Sequence, residues 1–352
     1  MMKRTLWALG LGLGIGLGAS LAQAQEDVVR VYGWQGRLAP GVIEDFQKQT
    51  GIRVEYATYA SGEDMLAGVR YDVVFPTHFQ LPALLAEKRL QPLDPAKLPN
   101  LAQINPDLLA VLSSFDQDNR HALPYLWGTV GLALNVPKVI ETLGTEPEDS
   151  WSLLFDAKHS AQLAKCGIGL LDARLETVSL LLNYRGESLA HSSKREIYQA
   201  GEDLSALRDK AASFGNASYI ESLADGRLCM ALAWSGHVLK ASAAGAPLRF
   251  VTPKEGALIF IDTMAIARNA EHVEAAHRFI DYLASAAANT RTARETRFYP
   301  VSRPDAPAMA QLASEHPELV VSSEQRRKFY YLEALDPARK NVVDASWSLL
   351  QR

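Results

Sequence analysis

The chain has 352 residues, 48% hydrophobic and 22% charged, with a formal net charge of −4 that becomes −6 once Lys3 and Arg4 are set aside with an amino-terminal leader. This mildly acidic balance, without any block of Lys or Arg, argues against nucleic acid and anionic lipid as partners, because both are held by clustered positive charge. The 328 residues after the leader suffice for two domains of the usual ~100–200 residues.

Residues 1–24 read as a signal peptide: Lys3 and Arg4 precede a Gly/Leu/Ala run, and Ala22-Gln23-Ala24 offers small residues for cleavage. The mature chain is expected to begin near Gln25. The apolar run is shorter than the ~20 residues that span a bilayer, and no cysteine follows it for lipid attachment. Its glycines, Gly10 to Gly18, fall only at even spacing, so the third glycine of a GxGxxG dinucleotide loop never appears.

The pattern from 28 to about 135 is strand, helix, strand, repeated. In VVRVYGWQGRLAP the apolar residues from Val28 predict a buried strand, Gly33 a tight bend, and Pro40 the first turn of a helix ending at Gly51. Trp34 to Arg37 then lie at the carboxyl edge of a sheet, where open α/β sheets bind ligands. Ile52, Val54 and Tyr56 alternate as a strand with one wet face, and residues 61–69 fit a short helix. YDVVF, 71–75, has the near-continuous apolar character of a strand buried on both faces. It delivers a second loop, Pro76 to Phe79, to the same edge. A helix is expected over 81–88, irregular chain over 92–106, and within 121–135 a strand, ALPYLWGTVGLALN, leaving the first domain.

Beyond residue 136 the spacing predicts helices over 151–165, 176–184 and 194–210, the last with Ser193 and Glu196 as a capping box. Strands are expected over 166–171 and 228–234, the second stopping at a Ser235-Gly236-His237 loop. Residues 250–253 and 258–266 carry the chain back toward the first domain, and 273–287 is an amphipathic helix. The organisation that fits is α/β, in two lobes with two or three chain crossings and a ligand cleft between them.

Catalytic and metal motifs are missing. HExxH, the Walker loop, the EF-hand and CxxC are absent, and Ser235 in AWSGH lacks the leading glycine of a nucleophile elbow. Cys166 and Cys229 have no second sulfur or histidine at ligand spacing, and in an exported chain a disulfide is favoured over two buried thiols. What recurs is an aromatic residue beside a polar one at a loop tip: Trp34 with Gln35 and Arg37, Thr77 with Phe79, Trp234 with His237, Phe260 with Asp262, Phe298 with Tyr299. Such walls with few polar groups make small-molecule sites.

Across VYGWQGRLAP, YDVVFPT, LPYLWGTVGLALN, CGIGLLDARLETVSLLLNYRG, SLADGRLCMALAWSGHV, PKEGALIFIDTMAI and FYPVS, the chain resembles the periplasmic polyamine-binding proteins of ABC importers, especially the putrescine-binding branch. The resemblance implies a type II-like periplasmic-binding-protein fold with a hinge and an inter-lobe cleft. Lobe 1 would take 25–135 and 257–303, lobe 2 would take 136–256, and 304–352 would form a C-terminal helical segment packed mainly on lobe 2. It further implies a Cys166–Cys229 disulfide and a periplasmic monomer serving an inner-membrane ABC permease, with no cofactor, metal or catalysis. A secreted enzyme on the same scaffold is the remote alternative.

Carried over by position, Trp34, Trp234, Phe260 and Tyr299 match an aromatic box, Glu176 and Asp262 match acidic residues that receive amines, and Gln35 and Thr77 supply polar contacts. Gly36 stands where an acidic residue is usual, Arg37 where an aromatic is common, His237 in place of an aspartate, and Phe79 in place of a serine. Two acids are gone and two basic groups have appeared. The swap leads to the expectation of an ω-amino acid ligand, such as 5-aminovalerate or 4-aminobutyrate. Asp262 or Glu176 would then hold the amine, and Arg37, with His237, the carboxylate. A putrescine or polyamine ligand is the alternative.

Overall fold

The structure is a computed structural model that describes residues 27–59 and 70–351. The signal peptide, the cleavage point and the helix expected over 61–69 lie outside the described residues.

Twelve strands form among the described residues: β1 (Val28–Trp34), β2 (Arg53–Tyr59), β3 (Val73–Val74), β4 (Leu90–Gln91), β5 (Ala122–Asn135), β6 (Ile168–Leu170), β7 (Ser213–Phe214), β8 (Met230–Trp234), β9 (Leu248–Val251), β10 (Ala257–Ala267), β11 (Tyr299–Pro300) and β12 (Phe329–Tyr331). Between β1 and β2 runs the helix Pro40–Thr50, opened by its proline and closed by Gly51 at φ 72°. Its Val42 and Phe46 are fully buried, each worth about 1.5–3 kcal/mol of apolar burial. Gly33 makes no bend. It lies inside β1, where an added Cβ would come within 3.1 Å of the Phe75 ring, so what it provides is room for the neighbouring strand's side chain.

The sheet order is β2-β1-β3-β10-β5-β8-β6-β7. One wing, β2-β1-β3, is parallel, and so is the other, β8-β6-β7. The two long antiparallel strands β5 and β10 join them. All 14 residues of β5 are buried. It pairs with β10 from Ala122 to Val130 and with β8 and β9 from Val130 to Asn135. Val130 is thus where β5 passes from one wing to the other, in a mixed α/β fold of two lobes joined by a hinge. Among the described residues no helix is long and apolar enough to cross a membrane.

The wing β8-β6-β7 is fastened by the Cys166–Cys229 disulfide, which joins the residues just before β6 and β8, with Cα atoms 5.5 Å apart. Closing a loop of 63 residues stabilises the fold by roughly 4 kcal/mol on a chain-entropy account. The helix Lys194–Arg208 starts on the expected capping box, Ser193 with Glu196. Two expectations change. Residues 235–237 open the helix Ser235–Ala243 directly on Trp234 rather than forming a loop. The long helix after 273 is two, Val273–Ala284 and Ala286–Thr296, because Ser285 adopts an extended backbone and its hydroxyl accepts from Ala288 N–H. Near the carboxyl end, β12 pairs in parallel with β10 and the helix Pro337–Trp347 packs on Lys194–Arg208.

Candidate functional site

Two strands, β1 and β8, each end on a tryptophan, β1 at a turn and β8 at the start of the helix Ser235–Ala243. Trp34 and Trp234 border one cavity of about 390 Å³ beside the middle of β10. Nine of the ten ligand-binding residues expected from the sequence border it: Trp34, Gln35, Arg37, Thr77, Glu176, Trp234, His237, Phe260 and Asp262. Tyr299 does not; its ring packs on Trp127 at 4.6 Å. A second cavity, of about 580 Å³, shares Trp34, Glu176, Asn216 and Trp234 with the first and reaches Phe79.

The loop after β1 is a tight turn. Gly36 takes φ 75°, Arg37 N–H donates to the Trp34 carbonyl at 3.2 Å, and Gln35 N–H donates to the Tyr59 carbonyl at 3.2 Å. The Tyr125 hydroxyl donates to the Arg37 carbonyl at 3.1 Å, so the backbone of residue 37 is held from two sides. Its side chain is only 7% exposed. Nη1 donates to Asp262 Oδ2 at 2.7 Å, and the guanidinium carbon lies 3.7 Å from the Phe298 ring centre and 4.7 Å from that of Phe260. Arg37 Nε is buried without a partner.

Asp262 stands at an irregularity of β10, where the register against β5 shifts between Asp262 and Thr263. A bulge re-aims a side chain, and here the Asp262 carboxylate meets Arg37 on one oxygen and the Thr77 hydroxyl, at 3.1 Å, on the other. Burial pushes the Asp262 carboxyl up and the Arg37 guanidinium down, and each is offset by the other's charge. An arginine stays protonated at any pH a folded protein meets, so the contact is a buried ion pair.

This pairing leaves the ω-amino acid expectation without support: Asp262, one of its two acids for the amine, is taken by Arg37, and the guanidinium meant for the ligand carboxylate is already engaged. Arg37 and Asp262 neutralise one another instead. His237 brings no positive charge either. Burial, with Arg37 and Lys240 nearby, lowers its pKa to about 3, and its Nδ1 is 2.9 Å from the Tyr219 hydroxyl. The imidazole meets Trp234 and Phe298 edge-on, at 5.6 and 5.5 Å, as part of an aromatic wall.

Glu176 differs. It lies in the first turn of the helix Arg174–Tyr184, and burial pushes its carboxyl up to about 7. No side chain of another described residue pairs with it. The Trp34 indole N–H is likewise buried without an acceptor. The unpaired carboxyl and the indole donor share a cavity also bordered by Tyr59, Tyr219, Trp234 and Phe260. A carboxyl among ring faces suits a cation with an apolar body, and the indole N–H suits an acceptor.

Sequence reasoning passed over Tyr59 and Tyr219 as site residues, and of the pair Phe298-Tyr299 it chose the second. Tyr59 ends β2 in register with Trp34, so the strand-end argument that selects Trp34 selects it too. Tyr219 opens the helix Tyr219–Ala224, and nothing in the local sequence marks it.

Residues 41–319 match the family model of bacterial extracellular solute-binding proteins, which sets the class. The putrescine-binding periplasmic protein PotF of Escherichia coli (strain K12) is 31% identical over 358 residues, covering 97% of this chain and 96% of its own. The putrescine-binding periplasmic protein SpuD of Pseudomonas aeruginosa (strain UCBPP-PA14) is 33% identical, covering 100% and 99%. The substrate-binding protein PotD of a spermidine/putrescine ABC transporter from Streptococcus pneumoniae shares the fold, with a TM-score of 0.74, 22% identity and coverage of 92% and 98%. The chain belongs to the polyamine-binding family of ABC-importer solute-binding proteins. Members of that family bind a solute for transport and are not enzymes.

Proposed function

We propose that the protein captures a small aliphatic amine related to putrescine in the cavity between its lobes and delivers it, as a periplasmic monomer, to an inner-membrane ABC permease. The observation that carries this reading is Glu176, a carboxyl without a side-chain partner among the described residues, bordering a cavity walled by aromatic rings. An ammonium beside it would restore the carboxylate, and its hydrocarbon chain would lie against Trp34 and Trp234. Each desolvated cation–π contact adds up to about 2 kcal/mol. The names of the relatives PotF and SpuD support an amine as ligand, and the lobes then divide as 25–135 with 257–303 against 136–256.

Calorimetric titration of the mature protein with putrescine, spermidine and n-butylamine tests the reading. Saturable binding of at least one amine, with a matching rise in thermal midpoint, is expected. Silence from all three contradicts it. Amino-terminal sequencing of the exported protein should begin near Gln25, and an uncleaved leader would contradict the export reading.

A further inference from the structure

We infer that the Arg37 guanidinium is the resident occupant of a cation subsite built by Asp262, Thr77, Phe260 and Phe298, so that the cavity accepts an amine with one positive charge in preference to a dication. The inference rests on the amine-binding reading and deepens it.

A carboxylate flanked by ring faces is a cation site, since the charge attracts and the rings replace water without repelling the cation. Here that site is full. Both Asp262 oxygens are engaged, one by Arg37 and one by Thr77, and the guanidinium lies over the Phe298 ring at 3.7 Å. The backbone has been cleared for both rings. A Cβ at Gly128 would fall 2.5 Å from the Phe260 ring, and one at Gly236 would fall 2.6 Å from the Phe298 ring. The residue that fills the subsite arrives from a turn fixed by Gly36 and by the Tyr125 hydroxyl, so its aim is set by the fold rather than by a mobile arm.

The consequence is arithmetic. Arg37 cancels Asp262, His237 is uncharged, and Glu176 is left as the acid for a ligand ammonium. Glu221 also borders the cavity, but it is exposed and its charge is screened by water. A diamine would bring a second ammonium with no further buried acid among the described residues to receive it. To gain one it would have to expel a buried guanidinium, and breaking such a pair strands a charge. A ligand with one ammonium and an uncharged tail meets neither obstacle.

The test compares n-butylamine with putrescine, which share four carbons and differ in one charge, by calorimetry on the full mature protein. The wild type should bind butylamine at least tenfold more tightly than putrescine. Arg37→Met, which opens Asp262, should bind putrescine at least tenfold more tightly than the wild type does. Arg37→Met combined with Asp262→Asn should lose that gain, and Arg37→Lys should keep the preference for butylamine. The wild-type comparison holds even if a variant fails to fold. Putrescine binding the wild type as tightly as butylamine, or more tightly, overturns the inference and leaves the amine-binding reading standing. Absence of binding by every amine overturns the reading itself.

Discussion

Two acids, Asp262 and Glu176, border the cavity in opposite conditions. Asp262 is buried, ion-paired and hydrogen-bonded on both oxygens. Among the described residues no side chain pairs with Glu176, and burial holds its carboxyl near neutrality. The difference teaches that an acidic residue in a cleft is not by itself a vacancy for a cation. What counts is the charge left after the protein has satisfied its own groups.

Removing the two acids should therefore change stability in opposite directions. Asp262→Asn strands the Arg37 guanidinium and should cost about 3–5 kcal/mol of stability, read by urea unfolding without ligand. It should also abolish amine binding, because the cavity gains a net positive charge. A loss below about 1 kcal/mol would show that the pair contributes little. Glu176→Gln should raise stability above pH 7, because it removes a carboxyl whose ionised form burial disfavours, yet weaken amine binding roughly 10- to 100-fold, since a charge-assisted hydrogen bond is worth about 1.5–3 kcal/mol. Equal affinity in that variant would move the ammonium elsewhere.

The contrast extends to pH. Glu176 titrates near 7 in the folded protein against an ordinary value of 4.5, so the ligand-free fold binds more protons than the unfolded chain between those values. Its contribution favours folding below 4.5 and is lost as pH rises through about 7. Amine affinity runs the other way, falling about tenfold per pH unit below 7 as the carboxyl takes up a proton. A flat affinity profile from pH 5 to 8 would contradict this. The smallest effect concerns His237. With a pKa of about 3 it stays neutral through this range, so His237→Gln should leave the shape of the profile unaltered, and an inflection lost with the imidazole would show that it titrates.

Much of this was legible in the sequence because buried parallel strands leave long apolar runs that stop where the strand ends. Val28–Trp34 and Met230–Trp234 are such runs, and they place both tryptophans. The Pro40–Thr50 helix was legible because proline and glycine mark its two ends. What lay out of reach was which charge meets which. Arg37 and Asp262 are 225 positions apart, and no local pattern says that they neutralise one another. Phe298 and Tyr299 show a subtler limit. Neighbours on extended chain point to opposite sides, so it is the first ring that lies under Arg37 while the second packs on Trp127. The Ser235-Gly236-His237 stretch carries turn-like composition, yet Gly236 there makes room for the Phe298 ring inside a helix.

The most direct test of the account is proton release on amine binding, measured calorimetrically at pH 6.5 in buffers of different ionisation enthalpy. With Glu176 mostly protonated in the empty cavity and ionised beside the ammonium, binding should release most of one proton, and the release should vanish in Glu176→Gln. Binding without proton exchange, or equal release from the variant, would contradict the assignment of the free acid.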